Sequence, residues 1–129
     1  MMSAADVRGR ARSAREFLQV AQERVEIAPD GPSEIAQVAA ANAVHAAIAA
    51  ADAICGRSLG YHASGSDHRE AVGLLRSVPG AGARLAPKLA RLLSDKTEFT
   101  YGGFCTRAEA QRATKDAGAL VEELDRLSL

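Results

Sequence analysis

A chain of 129 residues is one domain's worth of sequence, long enough to bury a core without disulfides or a structural metal. Sixteen Lys and Arg balance sixteen Asp and Glu, which argues against a protein whose affinity comes from neutralising a long run of phosphates, so a DNA-coating role is not expected. Alanine supplies 28 residues, Val and Ile together only 12, and Trp none, a balance that favours helices over sheets.

From Ser13 to Ala28 the apolar residues Ala14, Phe17, Leu18, Ala21, Val25 and Ala28 recur at three- and four-residue steps, which predicts a one-sided amphipathic helix. Residues 1–12 then read as a flexible basic lead-in to a single helical domain covering 1–129. Pro29-Asp30-Gly31-Pro32 makes a turn, and a second helix starts near Ser33. From Ile35 to Cys55 the strongly polar side chains are Gln37, Asn42, His45 and Asp52, so this helix is apolar around nearly its whole circumference and belongs at the centre of a bundle. A membrane span competes for the same segment, but alanine is barely hydrophobic and Asn, His and Asp are costly in lipid, so no membrane is expected. Gly56 reads as the helix stop and Arg57 to Ser66 as a loop.

Asp67 and Glu70 have capping-box spacing for a third helix that buries Ala71, Leu74, Leu75 and Val78. Pro79-Gly80-Ala81-Gly82 breaks it. A short fourth helix follows over Arg84 to Leu93, with Leu85, Leu89, Leu92 and Leu93 inward and Pro87 tolerated in its first turn. KTEFTYGGF, Lys96 to Phe104, lacks a helical period and reads as an ordered loop or a short extended piece. Thr106 and Glu109 form the clearest capping box, opening a last helix to Leu127 with Ala110, Ala113, Ala117, Leu120, Val121 and Leu124 on one face. The expected fold is all-α, an up-and-down bundle of four principal helices and one short one.

Cys55 and Cys105 form no CxxC and no Cys/His pair, so they predict neither a disulfide framework nor a metal site, and no cofactor motif is present. The N-terminal segment has no apolar run of the secretory kind, so reduced thiols in a cytoplasmic protein are expected. Arg outnumbers Lys 13 to 3, the balance of a GC-rich bacterial gene.

At 100° per residue Asn42, His45 and Asp52 fall within about 80° of one another, a polar stripe on an apolar rod. Either these groups satisfy one another or nearby backbone inside the bundle, or they line a small-ligand pocket or a polar seam between protomers, joined at one end by His68. Arg8, Arg12 and Arg15 share a face near the start of the chain, where positive charge opposes the helix dipole. They are a solvated face, or they meet phosphate or the acidic Asp116, Glu122, Glu123 and Asp125.

Three segments resemble the HEPN family, helical domains named for higher eukaryote and prokaryote nucleotide binding. Ala43 to Ile54, AVHAAIAAADAI, follows the small and apolar steps of the family's second helix, with Val44 and His45 at its aromatic steps and Ala49 at a His step. Ser66 to Val72, SDHREAV, is similar to its polar loop and His leading into an amphipathic helix. Phe99 to Ala110, FTYGGFCTRAEA, is similar to the aromatic loop and T-x-x-E that open its final helix. The resemblance implies a HEPN-like binding or interaction module that forms a homodimer, with a nucleotide or a nucleotidyltransferase as partner. Catalytic members are metal-independent ribonucleases with an Arg, four to six residues, then a His, a spacing matched by Arg57 and His62. The guanidinium would stabilise the charged phosphorane-like state and the imidazole would move the 2′-hydroxyl proton. That alternative is a toxin acting on RNA beside an antitoxin; a helical scaffold without ligand is the third.

Overall fold

The computed structural model describes the backbone of residues 1–64, 67–101 and 105–129, with side chains for all of these except 96–101. Its helices are α1 (Ala4–Ile27), α2 (Glu34–Leu59), α3 (His68–Arg76), α4 (Gly82–Tyr101) and α5 (Arg107–Arg126). Among the described residues there is no strand.

Helix α1 starts nine residues ahead of the expected Ser13, so the flexible lead-in is instead helical from Ala4. Ser3 Oγ accepts from Asp6 N–H and Asp6 Oδ2 accepts from Ser3 N–H, both at 3.0 Å, a capping box that satisfies two otherwise orphaned donors. Val7 and Ala11 carry the buried stripe back from Ala14, Leu18, Ala21 and Val25. The arginines between them mask that period in the sequence.

Helix α2 begins as expected, with Ser33 Oγ accepting from Ala36 N–H. It does not stop at Gly56. The helix continues through Arg57, Ser58 and Leu59, and Gly60, at φ 87°, is the left-handed cap whose N–H returns to the Gly56 carbonyl. Gly56 serves close packing instead: a Cβ there would come 2.6 Å from Met2 Sδ and 2.9 Å from Val7 Cγ2.

Asp67 caps α3 by accepting from Arg69 N–H at 2.9 Å, without a return bond from Glu70. Of the residues expected to be inward, Leu75 and Val78 are buried, while Ala71 and Leu74 are only partly covered. The short helix is therefore α3, not the fourth. Helix α4 runs on through Tyr101, so the loop or extended piece expected from Lys96 is helical to that point. No proline or glycine interrupts Leu92 to Tyr101, and helix propagates across that stretch; Gly102, Gly103 and Phe104, on which part of that expectation falls, lie outside the described residues, as do Gly65 and Ser66. Pro87 sits in the second turn of α4 rather than the first, where it has no N–H to give to the Ala83 carbonyl. The Thr106–Glu109 box forms as expected, with bonds of 3.2 and 2.9 Å.

Helix α2 packs against all four others. Its run of buried alanines lets α1 and α5 approach closely, while Ile54, Leu85, Leu89, Leu92, Leu120 and Leu124 fill the volume between helices. It is long and apolar enough to cross a membrane, yet 67% of its most apolar window is buried inside the bundle, as a core helix requires. Helix direction alternates. Ser33 N–H bonds to the Cys105 carbonyl and Arg107 N–H to that of Asp30, so the end of α1 and the starts of α2 and α5 share one end. Met2, Arg57 and Ser128 meet at the other. Arg84 reaches Glu123, and Arg91 reaches Asp116, so α4 runs antiparallel to α5. The principal helices α1, α2, α4 and α5 thus form an up-and-down all-α bundle with α3 inserted before α4.

Candidate ligand groove

The polar stripe on α2 does not lie in a dry interior, and its members do not bond to one another. Asn42 Nδ2 donates to the Val38 carbonyl of its own helix at 2.9 Å. His45 is exposed, its ring 5.3 Å from that of Phe17 on α1 at 37°. Asp52 turns to the same seam, with Oδ2 3.5 Å from Arg10 Nη1 and Oδ1 3.7 Å from His62 Nδ1. His68 is elsewhere, in a groove between α3 and α4.

His62 follows the Gly60 turn. Its Nδ1 lies 2.7 Å from the Ala63 carbonyl, which can only accept, so that nitrogen carries a proton. The local fold that brings His62 back toward α1 is fixed by Gly60, whose carbonyl also accepts from Met2 N–H at 2.8 Å. Burial raises the Asp52 carboxyl above the ordinary aspartate value, and His62 and Arg10 oppose that rise. One turn along α2, burial pushes the Cys55 thiol up to about 12, with the Asp52 charge adding to the effect, so Cys55 is an unreactive core thiol. Cys55 and Cys105 are both buried and are not joined by a disulfide.

Between the first half of α1 and the segment 61–64 lies an open groove of about 1320 Å³. Arg10 and Arg12 line it from α1, with His62 and Tyr61 opposite and Phe17 at one end. Two carboxylates also reach it. Asp6 is engaged in the Ser3 cap, which holds its carboxyl below the ordinary value, and Glu16 is the other. Arg12 makes no ion pair among the described residues. Of the ridge it belongs to, Arg15 follows the acidic-partner alternative rather than the solvated-face one, donating to Asp125 at 2.6 Å and to the Leu129 carbonyl at 2.5 Å. Asp116 and Glu123 are instead bound by Arg91 and by Arg126 with Arg84.

The arginine and histidine at ribonuclease spacing separate. Arg57 is exposed in the last turn of α2 and lines a small groove with Arg8 and Ser128, while His62 lines the large one. The residues that do accompany His62 are Arg10 and Asp52, and Arg10 is the member the sequence reading missed. Its signal was there: Arg10 and Phe17 are seven residues apart, as are His45 and Asp52, so two antiparallel helices would match both pairs two turns apart. No cluster suited to a metal ion occurs among the described residues. No model of a protein family and no curated protein matches this chain.

Proposed function

We propose that this protein is a non-catalytic helical binding module of the HEPN kind, and that its ligand is a nucleotide held in the α1 groove. The observation that carries the reading is the convergence of Arg10, Arg12 and His62 with the aromatic rings of Phe17 and Tyr61 on one groove. Guanidinium forks bind phosphate in a bidentate way, and exposed aromatic faces give a base something to stack on. The likenesses over Ala43 to Ile54 and Ser66 to Val72, with the capping box at Thr106 and the bundle architecture, support the family reading, whereas the aromatic loop of the third likeness is helical as far as Tyr101. The separation of Arg57 from His62 favours binding over RNA cleavage within one protomer. Exposed Val20, Ile27 and Val38 favour the homodimer, since apolar surface of this kind is readily covered by a second copy. Buried, unlinked cysteines fit a reducing compartment such as the cytoplasm.

Calorimetric titration with adenosine monophosphate at low salt tests the reading. Saturable binding is expected, weakened about tenfold by Arg12→Ala through the lost charge-assisted bonds. Tyr61→Ala should weaken it too, while Tyr61→Phe should not. Absence of binding at millimolar nucleotide overturns the assignment.

A further inference from the structure

A second groove, about 290 Å³, runs between α3 and α4 and contains none of the residues of the first. Its charged and titratable lining is basic, His68, Arg69 and Arg76 from α3, with no carboxylate among the lining residues; Asp67 lies just outside, its Oδ1 3.7 Å from Arg69 Nε in an exposed pair that leaves the other guanidinium nitrogens open to a partner. In a chain with no net charge, such a segregated basic wall marks a surface complementary to an acidic partner. Its floor is apolar. Val72 lies between His68 and Arg76 along α3, Ala90 and Leu93 line the groove from α4, and Ser94 is satisfied by donating to the Ala90 carbonyl at 2.9 Å.

The order along α3 is what identifies the occupant. His68, Val72 and Arg76 follow one another at four-residue steps on one helix face, spanning about 12 Å at 1.5 Å per residue. A lone phosphate would use one of these basic side chains and leave the apolar floor uncovered. A helix with an acidic residue, an apolar residue and a second acidic residue at the same four-residue steps matches all three at once. The wall is also held in place. A Cβ on Gly82 would meet the Leu75 carbonyl oxygen at 2.5 Å and that of Arg76 at 2.7 Å, so the α3–α4 corner is closely packed backbone, and Leu75 is fully buried beneath it.

We propose that the α3–α4 groove docks an acidic amphipathic helix of a partner protein, with an apolar anchor on Val72 and Leu93 and carboxylates on the flanking His68, Arg69 and Arg76. This surface is independent of the nucleotide groove. The pairing is exposed and electrostatic, which predicts fast, salt-sensitive, modest-affinity binding.

The test uses a fluorescein-labelled, alanine-based helical peptide carrying Glu, Leu and Glu at four-residue steps, read by fluorescence anisotropy against the whole chain. Saturable binding is expected, weakened by added salt, with a Lys-for-Glu peptide failing to bind. Arg76→Gln should weaken it by a few-fold, as expected for one exposed ion pair. The charge reversal Arg69→Glu with Arg76→Glu should abolish it. Arg69 has a side chain 94% exposed, so these variants should keep the wild-type helical circular dichroism, and Arg12→Ala should leave peptide binding unchanged. No saturation at millimolar protein, equal binding of the Lys peptide, insensitivity to both Arg76→Gln and the charge reversal, or displacement by adenosine monophosphate each overturns the proposal.

Discussion

Arg10 Nη1 lies 3.5 Å from Asp52 Oδ2, an ion pair that ties the first half of α1 to the last third of α2 at the edge of the groove. The two ends differ in environment. The Asp52 side chain is 16% exposed and Arg10 is 47% exposed, so the carboxylate bears most of the desolvation and the guanidinium stays solvated. The net result favours the protonated acid, which is why the Asp52 carboxyl titrates above its ordinary value despite two cationic or titratable neighbours.

That direction fixes a pH dependence. The folded state holds its Asp52 proton to higher pH than the unfolded chain, so this stabilising contribution is full below the unfolded value and is lost as pH rises through the folded one. At neutral pH, Asp52→Asn is therefore expected to be neutral or stabilising, by less than about 1 kcal/mol. The wild type should gain on the variant between neutral pH and about pH 4. Urea unfolding of both proteins across this range checks it; an advantage of the variant that widens on acidification contradicts it.

Glu123 on α5 has the opposite sign. Its side chain is 2% exposed, and hydrogen bonds from Arg126 outweigh burial and hold its carboxyl below the ordinary value, with Arg84 adding to the effect. Its contribution is present above the unfolded pKa and is lost as pH falls through the folded one. Because Arg126 and Arg84 are 63% and 58% exposed, the pair is screened, and Glu123→Gln should cost about 1–2 kcal/mol at neutral pH. The deficit should shrink on acidification, as measured by chemical denaturation.

His45→Ala separates a buried polar network from an exposed ring contact. His45 bonds to none of the stripe residues, and its ring contact is with Phe17. Truncation therefore strands no polar partner, and a loss of only about 0.5–1 kcal/mol is expected, the size of one aromatic contact. A loss above about 2 kcal/mol, of the kind seen when a buried partner is left unsatisfied, would show that the seam is drier than its exposure implies.

The helical fold was legible because hydrophobic period and caps agree with each other: Ser33, Asp67 and Thr106 each precede an apolar run and each caps a helix. Where the reading slipped, one local signal was given a meaning that tertiary packing reassigned. Gly56 has the composition of a stop but serves the approach of Met2 and Val7, and the true left-handed cap is Gly60, four residues on. The aromatic-rich Lys96 to Tyr101 lacks an amphipathic stripe, and helix extends through it from a well-anchored first half. Of the candidate site, the sequence marks Asp52 as part of the α2 stripe and His62 as part of an Arg–His spacing, with nothing to join them. Only the antiparallel register of α1 on α2 brings them to Arg10, and that register is a property of two helices together.

Two glycine substitutions distinguish packing from helix propensity. In isolation, replacing a helical glycine by alanine stabilises by about 0.5–1 kcal/mol, because the unfolded chain loses freedom and the helix gains a good former. Gly118 on α5 has nothing within 4 Å of where a Cβ would stand, so Gly118→Ala should show that gain as a raised melting temperature. Gly82, the first residue of α4, should not. A Cβ there would sit 2.5 Å from the Leu75 carbonyl oxygen and 2.7 Å from that of Arg76, and both obstacles are backbone that cannot rotate away. Accommodation requires α3 to move off α4, disturbing the burial of Leu75, at a cost of about 1–3 kcal/mol typical of overpacking. Thermal unfolding followed by circular dichroism should give shifts of opposite sign for the two variants, and hydrogen exchange should place the new exposure in α3 for Gly82→Ala alone. If both variants gain stability, the α3–α4 corner is looser than these distances require, and the fixed wall argued for the basic groove fails with it.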